Sequence, residues 1–158
     1  MTWSRDSVVR ESFVLSLVIM VACGKDHTLL LTTGGAWTCG WGHVSQLGHG
    51  DEADKLVLTL VTAEWFEGDT IVMVAGGMCN SEALRADGRV WTWGWSFSRC
   101  LGHNDEEDRL VPTHLGGAMA GAAEVLVRAG VSNTLAVTID GVLWAWDSVL
   151  WAWGSGGG

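Results

Sequence analysis

Short apolar runs broken by glycine, aspartate and asparagine recur along the chain. Residues 28–32 (TLLLT) and 36–41 (AWTCGW), rich in β-branched and aromatic side chains, flank Gly34-Gly35 and predict two short strands joined by a hairpin. Further along, Asp87-Gly88 and Asp140-Gly141 stand in the same place. An Asp-Gly pair suits a tight turn in which both central residues take positive φ. Trp91 with Trp93, and Trp144 with Trp146, alternate with period two, so each pair of indoles shares one strand face that something must cover. Apolar positions every three to four residues, the mark of an amphipathic helix, are absent.

These segments belong to a repeat. Residues 21–61 align with residues 74–115, and 53 residues separate Gly24 from Gly77. Past the hairpin the offset is 54, from Trp37 to Trp91, Trp41 to Trp95, Gly48 to Gly102 and His49 to His103, which marks one inserted residue. A third copy from Arg128 returns to 53 at Gly130, Gly141, Trp144 and Trp146 and then breaks off. Sheets of about 40 to 50 residues carrying large aromatics are covered by stacking radially on one another. The expected fold is all-β: a partial β-propeller of four-stranded antiparallel blades, about 53 residues per repeat. The expected division is an N-terminal segment with a first outer strand (1–20), repeat one (21–73), repeat two (74–127) and an incomplete repeat three with a glycine-rich tail (128–158).

Composition narrows the partners. Nine Lys+Arg against 18 Asp+Glu leave a net charge of −9, which disfavours nucleic acid and anionic lipid and suits a basic protein surface. Twenty-two glycines and one proline, Pro112, fit a turn-rich β protein. Cys23, Cys39, Cys79 and Cys100 have neither metal-site nor disulfide-scaffold spacing, so reduced thiols and an intracellular, cytoplasmic or nuclear setting are expected. The apolar run 13–23 is shorter than the roughly 20 residues a spanning helix needs. Arg5 and Arg10 precede it as in a secretory leader, yet Asp6 and Glu11 interrupt the pattern and no small-residue cleavage site follows. No leader is expected.

The motifs ACGKDHTLLLT, CGWGHVSQLGHGDEADKLVLTLV and WTWGWSFSRCLGHNDEEDRLVPTHL resemble the repeats of the regulator of chromosome condensation family over residues 21–146. That resemblance implies seven-bladed propellers, and roles that include guanine nucleotide exchange, chromatin docking, ultraviolet sensing and substrate capture by large ubiquitin ligases. Fold does not choose among these. About three copies do not close such a ring, so a fragment of a larger ligase or scaffold protein is expected first, and self-association second. Near the end Asp147 stands where the resemblance implies glycine. VLWAW from Val142 recurs from Val149 before the tail Gly154-Ser155-Gly156-Gly157-Gly158, and the whole reads as a frayed end.

Two acidic loops share one repeat position: Asp51, Glu52 and Asp54, then Asp105, Glu106, Glu107 and Asp108. They are the candidate contacts for a basic protein partner, against the plainer reading of solvated turns. Acid–base catalysis would require environments that push two carboxyls apart, which exposed acidic turns do not supply. His49 and His103 adjoin these acids, but their separate blades argue against a shared metal ion. His27, Asn80 and Asn133 occupy one repeat position and read as internal hydrogen-bonding groups. Trp37, Trp41, Trp91, Trp93, Trp95, Trp144 and Trp146 read as strand core. The sensor tryptophans that the resemblance would place for ultraviolet reception are replaced by Lys25-Asp26, Met78-Cys79 and Val131-Ser132. Gly116 to Ala123 reads as a loop without phosphate-gripping residues. The expected role is a non-catalytic protein–protein interaction module with no cofactor and no metal. The alternatives are an exchange factor for a small GTPase and, less favoured, an ultraviolet-B photoreceptor-like protein.

Overall fold

A computed structural model describes residues 16–68, 70–116, 124–131, 133–146 and 151–153. The start of the apolar run 13–23, most of the Gly116 to Ala123 loop, Asp147 and the glycine-rich tail lie outside the described residues. Strands β1 (Val18–Cys23), β2 (His27–Thr32), β3 (Gly35–Gly40) and β4 (Lys55–Leu60) form one antiparallel sheet in chain order. Strands β5 (Ile71–Gly76), β6 (Asn80–Arg85), β7 (Val90–Gly94) and β8 (Arg109–His114) form the second. Strands β9 (Glu124–Ala129), β10 (Thr134–Thr138), β11 (Leu143–Trp146) and β12 (Trp151–Trp153) form the third. The fold is a three-bladed stretch of β-propeller, with β1, β5 and β9 side by side as the innermost strands. Among the described residues no helix is long and apolar enough to cross a membrane.

Three local expectations are corrected. The first hairpin turns at Thr33-Gly34, because Thr32 pairs with Gly35, which already belongs to β3. In the Asp-Gly turns only the glycine has positive φ, +86° at Gly88 and +83° at Gly141. Gly88 N–H donates to Arg85 O, and Arg85 N–H to Arg89 O, both at 2.9 Å, closing a three-residue loop with a glycine bulge. The Asp87 carboxylate is held locally, accepting from Arg89 N–H at 3.2 Å and from the Arg85 and Arg89 guanidiniums. The repeated VLWAW is also no frayed end throughout: Trp151–Trp153 pair with β11 as the fourth strand of the third blade.

The blades are joined by two apolar seams. Leu29, Leu31 and Ala36 on the rear face of the first sheet cover Val74, Ala83, Trp91 and Trp93 on the front of the second. Ala75, Leu84 and Val90 on the rear of the second cover Val127, Ala136 and Trp146 on the front of the third. The front residues recur at 53-residue steps, so one packing solution is used twice. Each fully buried indole removes on the order of 200 Å² from water, about 5 kcal/mol of transfer free energy.

Polar groups inside the seams are paired across blades. Trp93 Nε1–H donates to Gln46 O at 3.0 Å, and Ser81 Oγ–H donates to the same carbonyl at 2.8 Å. The Ser81 proton being spent there, its oxygen accepts from His27 Nε2–H at 2.9 Å. Burial lowers the His27 pKa to about 4, so the imidazole is neutral. In the next seam Thr134 takes the place of Ser81 and donates to Cys100 O at 2.8 Å. Its other partner is Glu82 Oε1, on a fully buried carboxyl that stands where the first and third sheets have Leu29 and Leu135. Burial raises Glu82 to about 8, against the pull of the Thr134 hydrogen bond and the Arg128 charge. A protonated Glu82 then donates to Thr134, while its Oε2 and the Trp144 Nε1–H stay buried without a partner among the described residues.

Two predictions follow from the seams. Trp93→Phe keeps most of the apolar contact and leaves the Gln46 carbonyl one donor short, so equilibrium denaturation should show a loss of about 1–3 kcal/mol, against about 3–5 kcal/mol for Trp93→Ala. For Glu82, the folded state holds a proton that the unfolded state has released between the ordinary value of 4.5 and about 8. Raising pH through that window therefore destabilises the fold, by a few kcal/mol at most. His27 acts in the opposite sense: its folded pKa lies below 6.5, so stability falls as pH drops from 6.5 towards 4. The thermal midpoint of Glu82→Gln relative to the parent should rise steadily from pH 5 to 8 and level off above, which isolates the Glu82 contribution.

Candidate functional site

After β3 and β7 the chain makes two loops of equal length, residues 41–54 and 95–108, before returning in β4 and β8. Each is pinned by a threonine beneath it. Thr38 Oγ1–H donates to Leu47 O at 2.7 Å and accepts from His49 Nε2–H at 2.8 Å; Thr92 does the same with Leu101 O at 2.8 Å and His103 at 2.9 Å. Burial lowers both histidine pKa values, aided by Lys55 at His49 and by Arg109 at His103, the latter to about 4. Both imidazoles are thus neutral props for their loops. Gly48, at φ +76°, must lack a side chain, since a Cβ there would lie 2.7 Å from Trp93 Nε1.

The acidic residues divide into two kinds. Asp51 binds Lys55 Nζ at 2.9 and 3.1 Å and accepts from Ala53 N–H at 3.0 Å; its equivalent Asp105 binds Arg109 Nη2 at 2.7 Å and Glu107 N–H at 3.0 Å. The Lys55 hydrogen bond holds Asp51 below the usual carboxylate range. At Asp105 burial pushes upward, but the Arg109 and Glu107 hydrogen bonds together outweigh it. Asp54 accepts from Gly42 N–H at 2.8 Å, and Asp108 from Ser96 N–H at 2.7 Å, closing the base of each loop. Glu52 and Glu106 are exposed and have no partner among the described residues, while Glu107 is exposed with Arg109 3.7 Å away. The structure brings the two loops together: Gly50 N–H donates to Leu110 O at 2.9 Å, placing the first loop beside the strand that leaves the second.

Trp41 and Trp95 differ from the expectation of strand core. They lie one residue beyond the ends of β3 and β7, and Trp41 is 37% exposed. Trp41 meets His43 edge-on at 5.2 Å, and Trp95 stacks on the exposed Phe97 at 4.9 Å. His43 is 3.9 Å from Asp54, and Ser96, between Trp95 and Phe97, bonds both Asp108 and Asp105 O. Each loop therefore combines an accessible aromatic pair with carboxylates. The sequence signal was the break at Gly40 and Gly94, at φ +114° and +101°, where the strand period ends.

Among the described residues no group of three His, Cys, Asp or Glu side chains could hold a metal ion. The four cysteines are free thiols. A depression of about 330 Å³ opens where β1, β5 and β9 meet; Arg128 is the one charged residue lining it, and its Nη1 is bonded to Val127 O at 2.7 Å.

Comparison with known proteins gives a consistent result. The profile of the regulator of chromosome condensation (RCC1) repeat matches residues 87–137. The chain is 38% identical to the ultraviolet-B receptor UVR8 of Arabidopsis thaliana over 80% of its own length and 28% of the receptor's. It is 32% identical to the human E3 ubiquitin-protein ligase HERC2 over 85% of its own length and 3% of the ligase. It therefore spans less than a third of either relative. Among solved structures, human WBSCR16 superposes with a TM-score of 0.78 at 25% identity, covering 89% of this chain and 40% of that one. Prp20p of Saccharomyces cerevisiae, a protein described with its binding to Gsp1p and histones, superposes with a TM-score of 0.72 at 21% identity, covering 82% of this chain and 33% of that one.

The two kinds of loop residue should respond differently to substitution. Thr92→Val leaves Leu101 O and His103 Nε2–H without their buried partner and should cost about 1–3 kcal/mol in thermal or chemical denaturation. Glu106→Gln, on the exposed side of the same loop, should change stability by no more than about 0.5 kcal/mol.

Proposed function

Because the chain belongs to the regulator of chromosome condensation repeat family, we propose that it is a protein-interaction module that grips a basic partner segment with its 41–54 and 95–108 loops. The carrying observation is the division of labour in those loops. Asp51, Asp54, Asp105 and Asp108 shape the loops and add to the negative field, while Glu52, Glu106 and Glu107 are left to pair with incoming arginine or lysine. Trp41 with His43 and Trp95 with Phe97 offer ring faces and edges beside those carboxylates, where a guanidinium gains from stacking as well as charge. The overall charge of −9 supports capture of a cationic partner and disfavours an anionic one. No step of this reading needs a cofactor.

The test is the affinity of the chain for an arginine-rich peptide by fluorescence anisotropy at low salt. The triple charge reversal Glu52→Lys, Glu106→Lys and Glu107→Lys should weaken binding about tenfold or more. The pair Trp41→Ala and Phe97→Ala should weaken it by about threefold to tenfold. Unchanged affinity in both variants sinks the reading. Accelerated nucleotide release from a small GTPase by the purified chain would replace it with the exchange-factor alternative.

A further inference from the structure

The 95–108 loop carries a tip that the 41–54 loop lacks. Two residues in succession, neither of them glycine, take positive φ there, +56° at Ser98 and +59° at Arg99. That conformation is uncommon for residues with a side chain and persists only where the surroundings impose it. Here the imposing bonds are Arg99 N–H to Ser96 O at 3.0 Å, Gly102 N–H to Arg99 O at 3.0 Å, and the buried Cys100 Sγ–H to Trp95 O at 3.2 Å. Phe97, 52% exposed, and Arg99, also exposed, flank the half-buried Ser98. At the same places the other loop has His43, Val44 and Ser45; among these only Ser45 has positive φ, and it is buried. Resting on the reading of these loops as a grip for a basic segment, we propose that Arg99 receives a carboxylate of the partner. The partner segment then carries an acidic residue close to the arginine that meets the Trp95 and Phe97 rings.

Three observations select a mixed-charge segment over a wholly basic one. First, Arg99 stands apart from the other cations. Lys25, Lys55, Arg85, Arg89 and Arg109 are each ion-paired, and Arg128 donates to Val127 O. The Arg99 side chain has no partner among the described residues, although the chain holds 18 acidic residues against nine basic ones. Its guanidinium is open to a forked, charge-assisted contact with an incoming carboxylate. Second, the tip has a blade on either side. Gly50 N–H of the 41–54 loop reaches Leu110 O at 2.9 Å behind it, and Thr134 Oγ1–H of the third blade reaches Cys100 O at 2.8 Å ahead of it. Phe97 and Arg99 are therefore exposed with both neighbours in place. Third, this one loop offers both signs of charge beside a flat aromatic stack. Phe97 lies on Trp95 at 4.9 Å and 23°, a face suited to a guanidinium, and Glu106 and Glu107 are exposed on the same loop. A wholly basic segment gains at the glutamates and is repelled at Arg99. A segment with one acid among its arginines gains at both, and the repulsion becomes a means of rejecting the wrong partner.

The experiment measures, by fluorescence anisotropy at low salt, the affinity of the full chain for matched pairs of arginine-rich peptides. Within each pair one residue is Asp or Asn, placed one, two or three positions after a central arginine. In at least one pair the Asp peptide should bind about threefold or more tightly than its Asn match, although the chain's net charge of −9 favours the opposite order. In that pair Arg99→Glu should reverse the preference, Arg99→Ala should remove it and Arg99→Lys should preserve it. Phe97→Ala should weaken both members by a similar factor. A thermal melt of each variant checks that the fold is kept, as an exposed and unbonded side chain leads one to expect. No Asp advantage in any of the three pairs overturns the proposal, and so does an advantage that survives Arg99→Glu. Failure of the underlying reading looks different. If the Glu52→Lys, Glu106→Lys and Glu107→Lys chain binds every peptide more weakly and no pair shows the Asp advantage, the basic-segment reading stands and the role of Arg99 is overturned. If none of the peptides binds the parent chain, both are overturned.

Discussion

A β-sheet with apolar side chains on both faces cannot stand alone, and each blade here meets that demand through its neighbour. The seam between the first two blades is the clearest case. Trp91 and Trp93 bring a large apolar surface, but the Trp93 indole also brings an N–H that has to be satisfied in the dry interior. The Gln46 carbonyl meets it, and that carbonyl is available only because the 41–54 loop is folded back over the blade edge. Ser81 and, through it, His27 depend on the same oxygen. Strand packing and loop conformation are therefore one construction.

This coupling ties the loops of the candidate site to the blades beneath them. The residues that face outward, Glu52, Glu106, Trp41 and Phe97, sit on loops held from below by Thr38, Thr92, His49 and His103, and closed at the base by Asp54 and Asp108. A preorganised loop loses less entropy on binding than a free one. The second seam uses the same plan with one change, a buried carboxyl at Glu82 in a place that elsewhere holds leucine. That substitution joins the second blade to Thr134 of the third through a carboxyl whose pKa burial raises.

The family match over residues 87–137 begins at a hairpin turn and ends in β10, so it contains β7 to β10: two strands from one blade and two from the next. The recognisable unit is thus a seam with its loop, while the blade is the unit of hydrogen bonding. A repeat defined by mutual packing is naturally read across the boundary between sheets, since that is where side chains of both must fit.

The repeat period, the strand character and the presence of hairpin turns were legible in the chain, because alternation, β-branched content and Gly placement are local properties that recur at 53 and 54 residues. The internal role of His27 and the shared position of the two acidic loops were legible for the same reason. Which acids are spent on Lys55, Arg109 and backbone amides, and which remain free, was not: Asp51 and Glu52 are neighbours with the same charge, and only the folded loop gives one of them a cation. Trp41 and Trp95 read as strand residues because the aromatic pattern runs through Gly40 and Gly94, whereas the positive φ at those glycines turns the chain out of the sheet. Glu82 gave no local sign of burial, since a surface strand would carry it equally well. Short-range periodicity is enough to specify the blade and its repetition, whereas the exposure of each charge depends on the stacking of the sheets, because partners distant in sequence meet only there.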